Sequence, residues 1–457
     1  MPNIRIDAIV IKDFKNVKYG EIDFSQKKPK SNANILALYG QNGSGKTALI
    51  DFIEIVKCAI SGRRVPKNAY ELISFGSSNA SFMIKFSLTD LNKITYMHYS
   101  FSLKKEVGLV EDKNPYYSVI YDESLLISIY ENDKCISRLS PVIDTTKGEP
   151  FGPQTKYNEL IKDKEKITDV IVAKKMAYKS GTSFIFSNDF LNIIADASND
   201  SIVKSILLLK DYGNRNLFVL SVKDSALISF DALPLAFRIE NEGFAAIGKI
   251  GIPIDGNGLI PYDFLDLLKK IIKNMNIVLE QIIPGLNVDI RELGEDYLKD
   301  NTKGIRIQFV SKRGESVIAL KYESEGIKKI ISILQLLIVI FNNPTVTVAI
   351  DELDSGIFEY LLGELIRIIS DHGKGQLIFT SHNLRPLETI DKRFVAFTTV
   401  NPNNRYIRFT NIKTTNNLRD FYYRDIVLGE QEEPVYEPTS NRKIAFAFIE
   451  AGDFSGE

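Results

Sequence analysis

Eight consecutive residues, Gly40-Gln41-Asn42-Gly43-Ser44-Gly45-Lys46-Thr47, have the types and spacing GxxxxGK[ST] that hold a chain of phosphates. Glycines let the backbone close around phosphate oxygens with its amides pointing inward. Lys46 can reach β- and γ-phosphates, and the Thr47 hydroxyl can ligate Mg²⁺. A second set lies far downstream, where Val346 to Ile350 runs into Asp351-Glu352. Asp351 is suited to orient Mg²⁺, and Glu352 to polarise an attacking water as a general base. A third, Thr380-Ser381-His382-Asn383, ends another apolar run, and His382 there can donate a hydrogen bond to a γ-phosphate. The fourth is Glu323-Ser324-Glu325-Gly326, directly before an apolar helical stretch. Serine and glycine at a helix start form an anion site, although taken alone they read as a plain cap.

These groups need elements to carry them. Ile35 to Tyr39 reads as an apolar strand and Ala48 to Val56 as an amphipathic helix, so the loop sits at a strand-to-helix turn. Val346 to Ile350 is a β-branched run expected of a buried parallel strand, with its carboxylates at the edge where open α/β sheets bind ligands. Ile4 to Ile11 and Val17 to Phe24 read as short strands leading to the loop. Ala80 to Leu88, Ile94 to Leu103 and Tyr117 to Tyr121 alternate like an antiparallel sheet with one wet face. Tyr96, Tyr99 and Phe101 are expected to pack that sheet. Residues Gln154 to Glu242 read as mainly helical, and Gly251 to Gly258 as a link back to the body. Tyr262 to Ile283 is an amphipathic helix, followed by strands at Leu286 to Arg291, Gly304 to Val310 and Ser316 to Tyr322. Glu430 to Glu437 reads as an exposed acidic loop and Arg442 to Ala451 as a short helix. The expected division is an N-terminal lobe over 1–153, an inserted mainly helical subdomain over 154–258 and a C-terminal lobe over 259–457.

Composition narrows the classes. The chain has 457 residues, with 57 basic against 58 acidic and a net charge of −1, so no global field draws it to nucleic acid or membrane. A local basic patch stays open; Lys162 to Lys166 and Lys174-Lys175 are its candidates, though a solvated helix face is the plainer reading. Cys58 and Cys135 form no disulfide framework, and His98, His372 and His382 are too scattered for zinc. The longest apolar run, Ile330 to Phe341, is too short to span a bilayer, and no apolar leader is seen. The expectation is a cytoplasmic protein without membrane contact.

In order and spacing the four motifs resemble the ATP-binding-cassette (ABC) ATPases, and more narrowly the SMC-like branch that includes the OLD-family ATPases. That resemblance implies an α/β, ABC-type P-loop NTPase with a mixed central sheet, an antiparallel β-subdomain and an inserted helical subdomain. It implies ATP and Mg²⁺ as ligands and hydrolysis to ADP and phosphate. Lys46, Glu352 and His382 would be catalytic, and Thr47 and Asp351 would hold the metal. Gly40 to Thr47 would bind nucleotide, Ser324 and Gly326 would form a signature acting in trans, and Asp354-Ser355-Gly356 would be the D-loop. Ile11-Lys12-Asp13-Phe14-Lys15 is similar to the entry strand of that branch. The signature lacks the usual Leu and Gln, and Gln154 is the candidate for the Q-loop glutamine. The resemblance implies two copies packed head to tail around ATP, or a higher oligomer of such pairs. Thr47 and Ser324 stand 277 residues apart, and 75 residues follow His382, too few for the Toprim domain of an OLD nuclease. The chain therefore looks like the AbiL/RloA-like and PtuA-like phage-defence ATPases, which sense infection or DNA and control an effector, a nuclease or toxin, from a neighbouring gene. A RecF-like DNA-repair ATPase clamping duplex DNA is the alternative, and a transporter cassette a third.

Overall fold

The computed structural model describes residues 2–24, 34–108, 115–161, 166–195, 201–241, 244–256, 258–298, 300–409, 417–429 and 431–452. Its centre is a six-stranded mixed sheet in the order Tyr406–Ile407, Val395–Thr398, Asn34–Tyr39, Gln376–Thr380, Thr347–Ile350, Leu217–Leu220. All neighbours are parallel except the first pair. Apolar, β-branched runs suit strands covered on both faces, and nearly every residue of the five parallel strands is buried. The helix Lys46–Ile60 packs on one side, with Leu49, Phe52, Ile53 and Val56 inward. On the other lies Glu325–Asn342, apolar around almost its whole circumference and correspondingly buried.

A second six-stranded sheet is antiparallel, in the order Val17–Asp23, Asn3–Phe14, Asn79–Asp90, Lys93–Val107, Tyr116–Glu131, Lys134–Asp144. Its alternation is strict: Ala80, Phe82, Ile84, Phe86 and Leu88 point into the core and their neighbours do not. Tyr99 and Phe101 are buried and stacked at 5.2 Å, so they pack the sheet as expected. Helices Gln154–Leu160, Ile167–Ser180, Asn188–Ile194 and Ser201–Arg215 follow. The helix Tyr262–Ile282 then lies against a smaller antiparallel sheet built on Leu286–Tyr297 and Lys303–Arg313.

Three segments differ from expectation. Leu217–Leu220, inside the stretch read as helical, is a strand of the central sheet paired with Thr347–Ile350. Four apolar residues carry no period that tells strand from helix, so only the neighbouring strand decides. Ala232–Asn241 and Phe244–Pro253 form a hairpin, so Gly251 to Pro253 belong to a strand and not to a link. The acidic run near the end is held, not loose. Glu433 accepts from Asn401 and Asn404, and Val435 is buried. Residues 162–165 of the candidate basic patch, and Glu430, lie outside the described residues. Among the described residues no helix is long and apolar enough to cross a membrane.

Candidate functional site

The loop from Gly40 to Gly45 leaves the strand Asn34–Tyr39 and enters its helix at Lys46. Gly43 and Gly45 have φ of 77° and 96°, the left-handed region that glycine takes without strain. At Gly40 space decides: a Cβ there would lie 1.8 Å from Thr398 Oγ1. Thr398 ends an adjacent strand, donates to the Tyr39 carbonyl at 3.2 Å and also pairs with the Ser44 hydroxyl, pinning the loop from below. The Ser44 hydroxyl shares its one proton between Thr398 Oγ1 and the Gln41 carbonyl, 2.6 Å away. From the outer side Asn16 donates to the Gly43 carbonyl and Tyr406 to the Gly45 carbonyl.

Lys46 is almost fully buried, and its ammonium donates to the carbonyls of Gly40 (2.8 Å) and Gln41 (2.9 Å). Burial lowers its pKa to about 8, against the opposing pull of Asp351, Glu352 and Asp354. Above it lies a cleft of about 380 Å³ lined by Lys15, Asn42, Gly43, Gly45, Thr47, Asp351, Glu352 and His382 among others. The structure thus brings together on one edge groups that are more than 300 positions apart. Asp351 is buried, with Thr380 Oγ1 donating to its Oδ1 and, among the described residues, no hydrogen-bond partner at Oδ2. Thr380 also accepts from the Glu352 backbone N–H at 2.8 Å. Glu352 itself has φ of 47°, an uncommon conformation for a non-glycine residue and one that recurs at functional sites. Burial and nearby Lys46 lower the pKa of His382, so its imidazole is neutral at physiological pH.

The remaining expected residues lie elsewhere. Asp354 does not line the cleft; its Oδ2 accepts from the backbone N–H groups of His382 (3.0 Å) and Asn383 (2.9 Å), fixing the turn that presents the histidine. Ser324 and Gly326 do not line it either. Ser324 is exposed and caps the helix Glu325–Asn342, accepting from the Ile327 N–H at 3.3 Å. Gly326 lies against the backbone at Gly356, where an added Cβ would meet the Gly356 carbonyl at 2.0 Å. Gln154 is exposed, bonded to Asn158, and lines no part of the cleft. Sequence reasoning passed over Thr398 and Lys329. Lys329 is buried within the electrostatic influence of Glu352, Asp354 and Asp351 and donates to Ser225. Neither carries a local signal; each acquires its place only when distant strands and helices meet.

A family model described as an AAA domain matches residues 8–282, more than half of the chain. The chain belongs to that family. Among solved structures, this AAA domain chain is similar to an SMC head domain from Thermotoga maritima, 14% identical with a TM-score of 0.38 over 89% of this chain and 99% of that one. It is also similar to an Smc head domain from Pyrococcus furiosus bound to the C-terminal domain of ScpA, at 13%, 0.39, 90% and 97%. A third is the recombination mediator protein RecF of the RecFOR pathway, at 13%, 0.36, 88% and 98%. No curated protein matches the chain.

The donor set of this AAA domain fits a nucleotide with Mg²⁺. A buried carboxylate oxygen without a partner, Asp351 Oδ2, is an atom that a cation or its water shell would satisfy. The lysine now spends its donors on loop carbonyls, and the glycine cradle leaves room that a side chain would fill.

Proposed function

We propose that the chain is an ABC-type, SMC-like ATPase that closes head to tail on a second copy around ATP, in the cytoplasm, as a switch for a partner effector in antiphage defence. The observation that carries the reading is a division of labour. Lys46, Thr47, Asp351, Glu352 and His382 share one cleft, while the capping hydroxyl of Ser324 stands outside it, exposed. A serine on a helix N-terminus that cannot reach its own cleft is suited to a nucleotide held by another copy.

Bound Mg²⁺ would supply charge neutralisation between β- and γ-phosphates, held by Thr47 and Asp351. The protein's own groups do the rest. Lys46 exchanges two loop carbonyls for phosphate oxygens. Glu352, aimed by its left-handed backbone and by Thr380, takes a proton from the attacking water. His382, held neutral, donates an N–H toward the γ-phosphate, and Asp354 keeps its backbone in place.

Glu352→Gln removes the base and keeps the shape. Turnover is expected to fall by about a hundredfold or more while ATP binding persists, and light scattering should show a pair with ATP and single copies without it. ATP-independent mass for this variant would sink the shared-site mechanism. Strongly salt-dependent binding of duplex DNA by the ATP-bound pair would move the reading to a DNA clamp.

A further inference from the structure

The last described helix, Asn441–Gly452, follows a segment tied to the phosphate loop and has every residue exposed to solvent. Glu437 donates its backbone N–H to the Gln41 side chain at 2.8 Å, tying the chain to the phosphate loop. Only Pro438, Thr439 and Ser440 separate that anchor from the helix. None of the helix's residues is buried; Ile444, Phe446 and Ile449 are exposed, and Phe448 is 76% exposed. Ile444 and Phe448 share one side of the helix and Phe446 and Ile449 another, and bulky apolar side chains left in water on such an element mark an interface.

A second unpartnered surface surrounds the signature. Phe230 (81% exposed), Tyr322 and Phe358 are all large, apolar and in water. The segments that carry them meet near Glu325: Ser229 donates to it at 3.3 Å, Tyr322 lies three residues before it, and Gly356 packs on Gly326. The collar also carries exposed Glu325 and Glu359, whereas the helix opens on Arg442 and Lys443. Apolar area faces apolar area, and the leading Arg442 and Lys443 are opposite in sign to Glu325 and Glu359. Lys321 beside Tyr322 and Glu450 at the far end of the helix are the exceptions.

We infer that the helix Asn441–Gly452 of one copy is a strap that docks on the Phe230–Tyr322–Phe358 collar of a second copy when ATP closes the pair. The inference rests on the head-to-tail reading, in which the phosphate loop of one copy faces Ser324 of the other. The strap is anchored at that loop, and the collar's residues lie on the segments that meet next to that serine. Three connecting residues reach roughly 10 Å and a twelve-residue helix spans about 18 Å, so the helix can extend well beyond the loop that anchors it. Within one chain the helix leaves the collar bare. The device makes pairing depend on more than nucleotide: it clamps the closed state from the rim.

The test uses full-length protein carrying Glu352→Gln. One population adds Phe448→Cys, another Phe230→Cys, both with the exposed Cys135→Ser. Mixed with ATP, Mg²⁺ and a mild oxidant, they should form a cross-linked pair that is absent without ATP. Phe446→Glu with Phe448→Glu should weaken the ATP-bound pair by about tenfold in sedimentation, with nucleotide affinity of the single copy unchanged. Assembly with ATP but no cross-link at Phe230 or at Phe358→Cys, or undiminished pairing of the double glutamate variant, overturns the strap and leaves the sandwich standing. No ATP-dependent assembly of Glu352→Gln alone overturns both.

Discussion

Lys46 shows how one side chain sets the pH range of a site. In the free protein its ammonium is buried on two carbonyls, and it gives up its proton near pH 8, well before an exposed lysine would. Phosphates would hold the charged form, so ATP must rebind a proton wherever the free lysine has lost it. Affinity for ATP is therefore expected to be level below about pH 7 and to weaken above pH 8, by about fivefold between pH 8 and pH 9. Calorimetric titration across that range measures it. Lys46→Met should bind weakly and show no such slope; a slope that survives in that variant assigns the titration to another group. The same logic explains why Asp351 Oδ2 is left bare in a dry site: a polar atom held without a partner is tolerated where a ligand completes it.

At the scale of elements, the helix Glu325–Asn342 and the turn at 354–356 are tied by two glycines. Gly356 sits at φ 75°, and its carbonyl occupies the place where a Cβ on Gly326 would go. Gly326→Ala must push apart two backbones that cannot bend away cheaply. A loss of about 1–3 kcal/mol in urea unfolding is expected, with ATP still binding the phosphate loop and pairing impaired. Stability equal to wild type would mean that the two segments slide independently. This contact also marks where sequence reading stopped. The phosphate loop and the Asp351-Glu352 pair are legible because each is one short run whose chemistry is local. The long helices and alternating strands are legible by period. Thr398, Thr380 and the strand Leu217–Leu220 are not, since their meaning comes from partners far away in sequence, as with Ser44 and Thr398 across 354 positions. Glu433 and Val435 looked like an acidic loop for the same reason: composition registers charge, not the asparagines that meet it.

For the whole molecule, the question is how an antiparallel sheet is fastened to a parallel one so that an event at the phosphates moves both. Gln376 supplies one such fastening. It opens a central strand of the parallel sheet and is only 1% exposed. In the antiparallel sheet, Asn3–Phe14 pairs with Val17–Asp23 only from Ala8 onward. Ile6 lies beyond that ladder, and the Gln376 amide substitutes for the missing strand. It accepts from the Ile6 N–H at 3.0 Å, donates to the Ile6 carbonyl at 2.8 Å and accepts from Thr347 Oγ1 at 3.1 Å. Gln376→Leu keeps the volume and strands the Ile6 N–H and carbonyl in a buried interior, while Thr347 loses the acceptor for its proton but still accepts from Tyr212. At roughly 1–3 kcal/mol for each buried group left unpaired, offset by partial relaxation, a loss of about 2–5 kcal/mol is expected. Urea unfolding measures the total, and hydrogen exchange locates it: the amides of Ile4 to Ala8 should lose protection ahead of those in Asn34–Tyr39. If both strands lost protection together, the two sheets would unfold as one unit and Gln376 would not be a joint between them. If neither did, the lobes would be held by their shared apolar core alone, and coupling between the cleft and the antiparallel sheet would have to run through the helix Lys46–Ile60, which packs against both.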